Sequence, residues 1–129
     1  MEPATPAPPR PHRVVVLALD GVLTFELGIP QRIFALPRDA AGRPLYEVVT
    51  CSVREPGPVR TDADYAVRVE HGPEALATAD TVLIPATHEL GPLLEEGVLP
   101  AELASALTLV RPEARLVSIC TGAFVLAAA

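Results

Sequence analysis

Leu116-Val117-Ser118-Ile119-Cys120-Thr121-Gly122-Ala123-Phe124-Val125-Leu126 decides how the rest of the chain is read. A short apolar run of strand character stops at a lone cysteine, passes Thr-Gly and enters small and apolar residues that favour a helix. This is a strand-turn-helix with a thiol at the bend. Such a turn lifts its central side chain above the end of a sheet and aims the following backbone N–H groups at the same spot. The start of the following helix adds partial positive charge, which favours thiolate over thiol. The plainer reading of such a cysteine is a small hydrophobe ending a buried strand.

Working back from the bend, three more runs have strand character. Arg13 to Asp20 is nearly continuous in Val, Leu and Ala, as expected of a strand covered on both faces, and Gly21 breaks it. Leu45 to Val53 and Thr81 to Pro85 are the other two. Between the first pair, apolar residues at 25, 29, 33 and 36 follow helical spacing, and Pro30 is expected in the first turn, where its missing N–H costs little. Strand, helix, strand implies a parallel pair with a right-handed crossover. Residues 59 to 70 suit a short antiparallel ribbon at a sheet edge, Pro73 to Thr78 a short helix, and Leu93 to Leu99 and Pro100 to Val110 two further helices, with Arg111-Pro112 as the stop. The sum is an α/β sandwich with a mainly parallel sheet, whose binding sites lie outside the carboxyl ends of the strands. Three loops meet that condition and are expected to be neighbours: Asp20 to Glu26, Pro85 to Gly91, and Cys120 to Gly122.

Composition bounds the function. The chain has 129 residues, half of them apolar, which is room for one domain with a real core. Ten basic residues against sixteen acidic ones give a net charge of -6, so the segment lacks the electrostatic footprint of a nucleic-acid binder. Every apolar run falls short of the roughly 18 residues a membrane span needs, no apolar signal core precedes the domain, and a cytoplasmic location is expected with no membrane partner. Cys51 and Cys120 each sit in a strand-like run, so no disulfide framework is expected; His12, His71 and His88 are scattered, and no metal or cofactor is expected. Residues 1–12 hold the prolines of a disordered lead-in, five of fifteen falling before Arg13, and the domain is expected over 13–129. Phe124 to Ala129 forms helix without a stop, the pattern of a sandwich truncated at its C-terminus with an open sheet edge and an uncovered apolar face.

Cys120 is the expected centre of any chemistry. Glu26, near the start of the first helix, is either a helix-start carboxylate favoured by the macrodipole or an acid-base group facing Cys120; in the second case it must be protonated beside a thiolate. Thr87 and His88 could wall a pocket. The N–H groups of Ala86 and Thr87 could join those of Thr121 and Gly122 in an oxyanion or carboxylate site. Leu19-Asp20-Gly-Val-Leu-Thr24 resembles the opening motif of haloacid dehalogenase-type phosphatases, but Ala18 stands where their nucleophilic aspartate is required, so Asp20 is read as a turn residue.

The strand ending in Asp20-Gly21, Glu26-Leu-Gly-Ile-Pro30, Asp80-Thr-Val-Leu-Ile-Pro85 and above all Ser118-Ile-Cys-Thr-Gly-Ala-Phe-Val-Leu-Ala127 resemble the PfpI-like branch of the class I glutamine amidotransferase-like superfamily. Within it, Cys-Thr-Gly-Ala-Phe-Val-Leu-Ala is most similar to the N-terminal sensor domain of GlxA-type regulators of the AraC family. The resemblance spans Arg13 to Ala129. It implies a flavodoxin-like three-layer sandwich, commonly dimeric, with the elbow cysteine at Cys120 and the first-loop glutamate at Glu26. It also implies one of two functions. One is an effector-sensing domain that binds a small molecule and works as a homodimer, DNA being reached only through a C-terminal helix-turn-helix domain missing from this chain. The other is a cysteine-dependent hydrolase, hydratase or deglycase with Cys120 as nucleophile and Glu26 as its proton partner.

Overall fold

A sheet is set by the segments that can be buried on both faces, and in this chain the first strand is the best of them. The computed structural model describes residues 9–129, so of the expected lead-in residues 1–8 lie outside it. Strand β1, His12–Leu17, carries Val14, Val15, Val16 and Leu17 with essentially no exposure. Burying each such side chain is worth about 1.5–3 kcal/mol. β1 therefore takes the middle of the sheet, flanked by β2 (Tyr46–Cys51) and β5 (Thr81–Ile84), with β6 (Arg115–Ser118) outside β5. The order β2-β1-β5-β6 is parallel throughout, in a register that sets His12 against Tyr46, Val14 against Thr81 and Thr81 against Arg115. β3 (Gly57–Arg60) and β4 (Ala66–Val69) pair antiparallel as a separate ribbon. Chain order departs from β1 in opposite directions, to β2 on one side and to β5 and β6 on the other. That reversal opens a crevice at the carboxyl ends of β1 and β5.

The two faces of the sheet are covered differently. Val15, Leu17, Val82 and Ile84 pack against a 3-10 turn at Pro73–Thr78 and against helices α2 (Gly91–Glu96), α3 (Ala101–Leu107) and α4 (Gly122–Ala128). Val14, Val16 and Leu83 pack against α1, Thr24–Phe34, through Leu27 and Phe34. The result is three layers. The ends opposite the crevice are tied by Asp80, whose carboxylate accepts from Arg10 (2.8 Å), the Arg13 N–H (2.8 Å) and Arg111 (3.0 Å).

The structure corrects the expected phase of α1. Phe25, Ile33 and Leu36, which marked the helix by their spacing, face solvent at 82%, 57% and 71% exposure. A second set at 27, 30 and 34 has the same period and faces the sheet. The helix start is pinned from outside: Asp62 accepts from the Thr24 N–H (3.1 Å), and the Ala86 carbonyl accepts from the Leu23 N–H (3.0 Å). That anchor selects the second stripe. Pro30 is accordingly the seventh residue of α1 and buried, rather than part of its first turn, so the Glu26 carbonyl has no i+4 donor. β6 is an edge strand with Leu116 and Val117 exposed.

Candidate functional site

The bend after β6 is built by main-chain bonds. The Ile119 N–H donates to the Ile84 carbonyl (3.0 Å), holding the chain against β5 one residue past the strand. The Gly122 and Ala123 N–H groups donate to the Ile119 and Cys120 carbonyls (3.0 and 3.1 Å), closing the turn into α4. Cys120 between them adopts φ +51°, and among the described residues it alone has a positive φ without being glycine. That conformation costs about 1–3 kcal/mol and persists only where neighbours impose it. Here Gly122 lets them do so: a Cβ on it would lie 2.1 Å from the Ile84 carbonyl oxygen. The Cys120 thiol is exposed and both cysteines are free, Cys51 buried.

The three loops expected to meet do meet. The Leu23 N–H donates to the Ala86 carbonyl and the His88 N–H to the Gly21 carbonyl, each at 3.0 Å. Glu26 Oε2 accepts from the Ala86 N–H at 3.0 Å, which bonds the first loop to the end of β5. The Thr87 N–H donates to the Thr121 hydroxyl (3.3 Å), which bonds that same loop to the elbow. The buried Thr87 hydroxyl donates to the Asp20 carbonyl and accepts from the Glu89 N–H (3.2 Å). Gly21, at φ +81°, passes so close that a Cβ there would lie 2.8 Å from Thr87 Oγ1.

These bonds use up most of the expected anion donors. Ala86 N–H is held by Glu26, Thr87 N–H by Thr121 and Gly122 N–H by Ile119, so of the four amides named from the sequence only that of Thr121 has no protein partner among the described residues. Glu26 sits where the sequence placed it, beside the elbow loops, yet it makes no hydrogen bond to Cys120 among the described residues. His88 is exposed, with no side-chain bond among the described residues. What the bend offers is an accessible thiol over one free amide, with its carboxylate neighbour turned to the backbone. Among the described residues no group of three His, Cys, Asp or Glu could hold a metal ion, and no helix is long and apolar enough to cross a membrane.

Sequence reasoning missed a second feature of the same sheet end. A cavity of about 220 Å³ opens beside the carboxyl ends of β1 and β2, floored by Leu19, Val53 and Leu103 and rimmed by Asp20, Arg54, Arg60, Glu89 and Glu102. Glu26, Ala86, Thr87, His88, Cys120, Thr121 and Gly122 do not line it. Asp20 accepts from Arg54 (2.8 Å) and from the Arg60 N–H (3.0 Å). Partial burial works against ionisation of its carboxyl, but the Arg54 bond, the Arg60 amide and the two guanidinium charges together outweigh that and hold its pKa below the usual carboxylate value. The phosphatase-like motif is thus spent on an ion-pair network.

No family model matches the chain. A protein of Streptomyces lividans, described only as uncharacterised and lying in the cpoL 5′ region, is 32% identical over 124 residues, which cover 92% of this chain and 80% of that protein. The chain belongs to that protein's family. Among solved structures it is similar to a DJ-1 superfamily protein of Agrobacterium tumefaciens (TM-score 0.58, 19% identity, 89% of this chain), a protein of Bacteroides thetaiotaomicron described as a protease I (0.63, 17%, 88%) and an AraC family transcriptional regulator of Pseudomonas putida (0.54, 18%, 90%). At such identities the likeness establishes the fold, the flavodoxin-like α/β sandwich of DJ-1 and PfpI-like proteins. The chain spans 56%, 66% and 60% of those three solved chains.

Proposed function

We propose that this domain is the effector-sensing part of a GlxA-type regulator of the AraC family, with a small polar ligand read at Cys120, Thr121 and the Ala86 to His88 loop. The observation that carries the reading is the placement of Glu26. A thiol nucleophile needs a proton acceptor within reach. Glu26 accepts from the Ala86 amide through Oε2 and makes no hydrogen bond to Cys120, and His88 has no side-chain partner, among the described residues. A sensor needs no such acceptor; it needs an accessible surface joined to loops that can transmit a change, and Thr87 and Thr121 make that joint. The likeness to the Pseudomonas putida regulator supports the same reading. In it the protein acts as a cytoplasmic homodimer, and DNA is held by a helix-turn-helix domain outside these 129 residues.

The free Thr121 amide beside an exposed elbow thiol favours a second reading, a cysteine-dependent hydrolase, hydratase or deglycase, since that amide suits a developing oxyanion. Turnover of methylglyoxal and of an aryl isocyanide by the wild-type chain, Cys120→Ser and Cys51→Ser separates the two. The sensor reading expects no turnover above the uncatalysed rate in any of the three. Turnover present in Cys51→Ser and absent from Cys120→Ser overturns it in favour of the enzyme.

A further inference from the structure

We propose that the cavity between the carboxyl end of β1 and the start of α3 binds a small organic cation, a primary amine or guanidine carried on an apolar body. The walls set the body. Leu19, Val53 and Leu103 floor a space of about 220 Å³, below the range of roughly 300–1,000 Å³ typical of drug-sized pockets, so the ligand is small. The rim sets the charge. Three carboxylates, of Asp20, Glu89 and Glu102, face two guanidiniums, of Arg54 and Arg60, and no other ionisable group lines the space.

The pairing within that rim is uneven. Asp20 is satisfied by Arg54 at 2.8 Å and by the Arg60 amide, and Glu89 is bonded to Arg60. Glu102 is left with a 3.5 Å contact to an Arg54 already committed to Asp20, and it stands half-exposed at the mouth. One positive charge next to Glu102 balances the rim. An anion would have to displace Glu102 from Arg54 and still face the negative surplus, so the charge count disfavours it. The site stands apart from Cys120 and does not depend on the reading proposed for the elbow. It is nonetheless joined to it: the Asp20 carbonyl and the Glu89 amide both bond the Thr87 hydroxyl, whose own amide holds Thr121.

The test uses the full chain and three isosteric probes, benzylamine, benzyl alcohol and benzoate, by calorimetry and amide chemical-shift titration. Benzylamine is expected to bind tightest, with shifts centred on Val53, Arg54 and Leu103. Glu102→Gln, at an exposed position that folding tolerates, is expected to weaken it about fivefold, the upper end for a half-exposed charge pair, and to leave benzyl alcohol unchanged. Val53→Phe fills the floor and is expected to abolish binding. The proposal is overturned by benzoate binding as well as benzylamine, by the absence of saturable shifts with all three probes, or by benzylamine binding indifferent to Glu102→Gln.

Discussion

Gly122→Ala is the sharpest single test of the elbow. The Cβ it adds would stand 2.1 Å from the Ile84 carbonyl oxygen and 3.2 Å from that of Pro85, where real Cβ contacts essentially never fall below 3.0 Å. The obstacle is main chain of β5, fully buried between β1 and β6, so no side-chain rotation relieves it. Either the start of α4 moves outward by about 0.9 Å or β5 does. Overpacking of this kind costs about 1–3 kcal/mol, and a backbone obstacle puts this case at the upper end. For a domain of this size about 3 kcal/mol lowers the melting temperature by roughly 10 °C. Gly28→Ala supplies the control. It lies in α1 with nothing within 4 Å of the added Cβ, and replacing a helical glycine by alanine gains up to about 1 kcal/mol. Thermal melts of the two variants should therefore move in opposite directions. A Gly122→Ala melt within 2 °C of wild type would refute the proposed contact between α4 and β5, and with it the account of why Cys120 is held at positive φ.

Iodoacetamide at pH 8 should label Cys120 within minutes and leave Cys51 unmodified in the folded chain, as peptide mass spectrometry would read. Burial first, and the nearby Glu74 charge second, push the Cys51 thiol up to about 12, and its side chain is closed to solvent. Equal labelling would contradict the packing of β2. Asp80 gives a pH prediction. Its hydrogen bond from Arg10, then the Arg13 amide and Arg111, hold its carboxyl well below the usual carboxylate range. A depressed folded value means stability fully present above the unfolded pKa of about 3.9 and lost as pH falls toward the folded one. Asp80→Asn should thus lower the melting temperature at pH 6 and bring the variant and wild type closer together as pH falls from 4 to 2. A gap that stays constant over that range would show that Asp80 acts through something other than its charge.

Much of this architecture was legible because burial writes itself into strands. Runs such as Val14-Val15-Val16-Leu17 and Val82 to Ile84 have no polar face, which leaves them little choice but the interior of a parallel sheet. The elbow was legible for a local reason: an apolar run, a cysteine and a glycine two residues on describe a turn that only a small residue can follow. The phase of α1 was not, because stripes 25/29/33/36 and 27/30/34 share one period and only contacts from Asp62 and Ala86 choose between them. Nor was the state of the amides at Ala86 and Thr87, which depends on where the Glu26 and Thr121 side chains turn. The cavity beside Arg54 was hidden more thoroughly. Its five charged residues come from five separate segments, each of which reads as ordinary solvated surface until the sheet brings them together.

The central position of β1 also governs how the sheet can be assembled. Its partners are β2, which begins 34 residues further on from His12 at Tyr46, and β5, where Val14 meets Thr81, 67 residues away. A chain made from its N-terminus can close the first of these pairings while the second edge of β1 still waits for a strand not yet synthesised. Loop-closure entropy makes such distant parallel pairings slow, and an unpaired apolar strand edge invites the wrong partner in the interval. The strand that emerges first stays half-paired until β5 arrives, so the folding yield of this domain depends on how long Val14 to Leu17 stands with one side open.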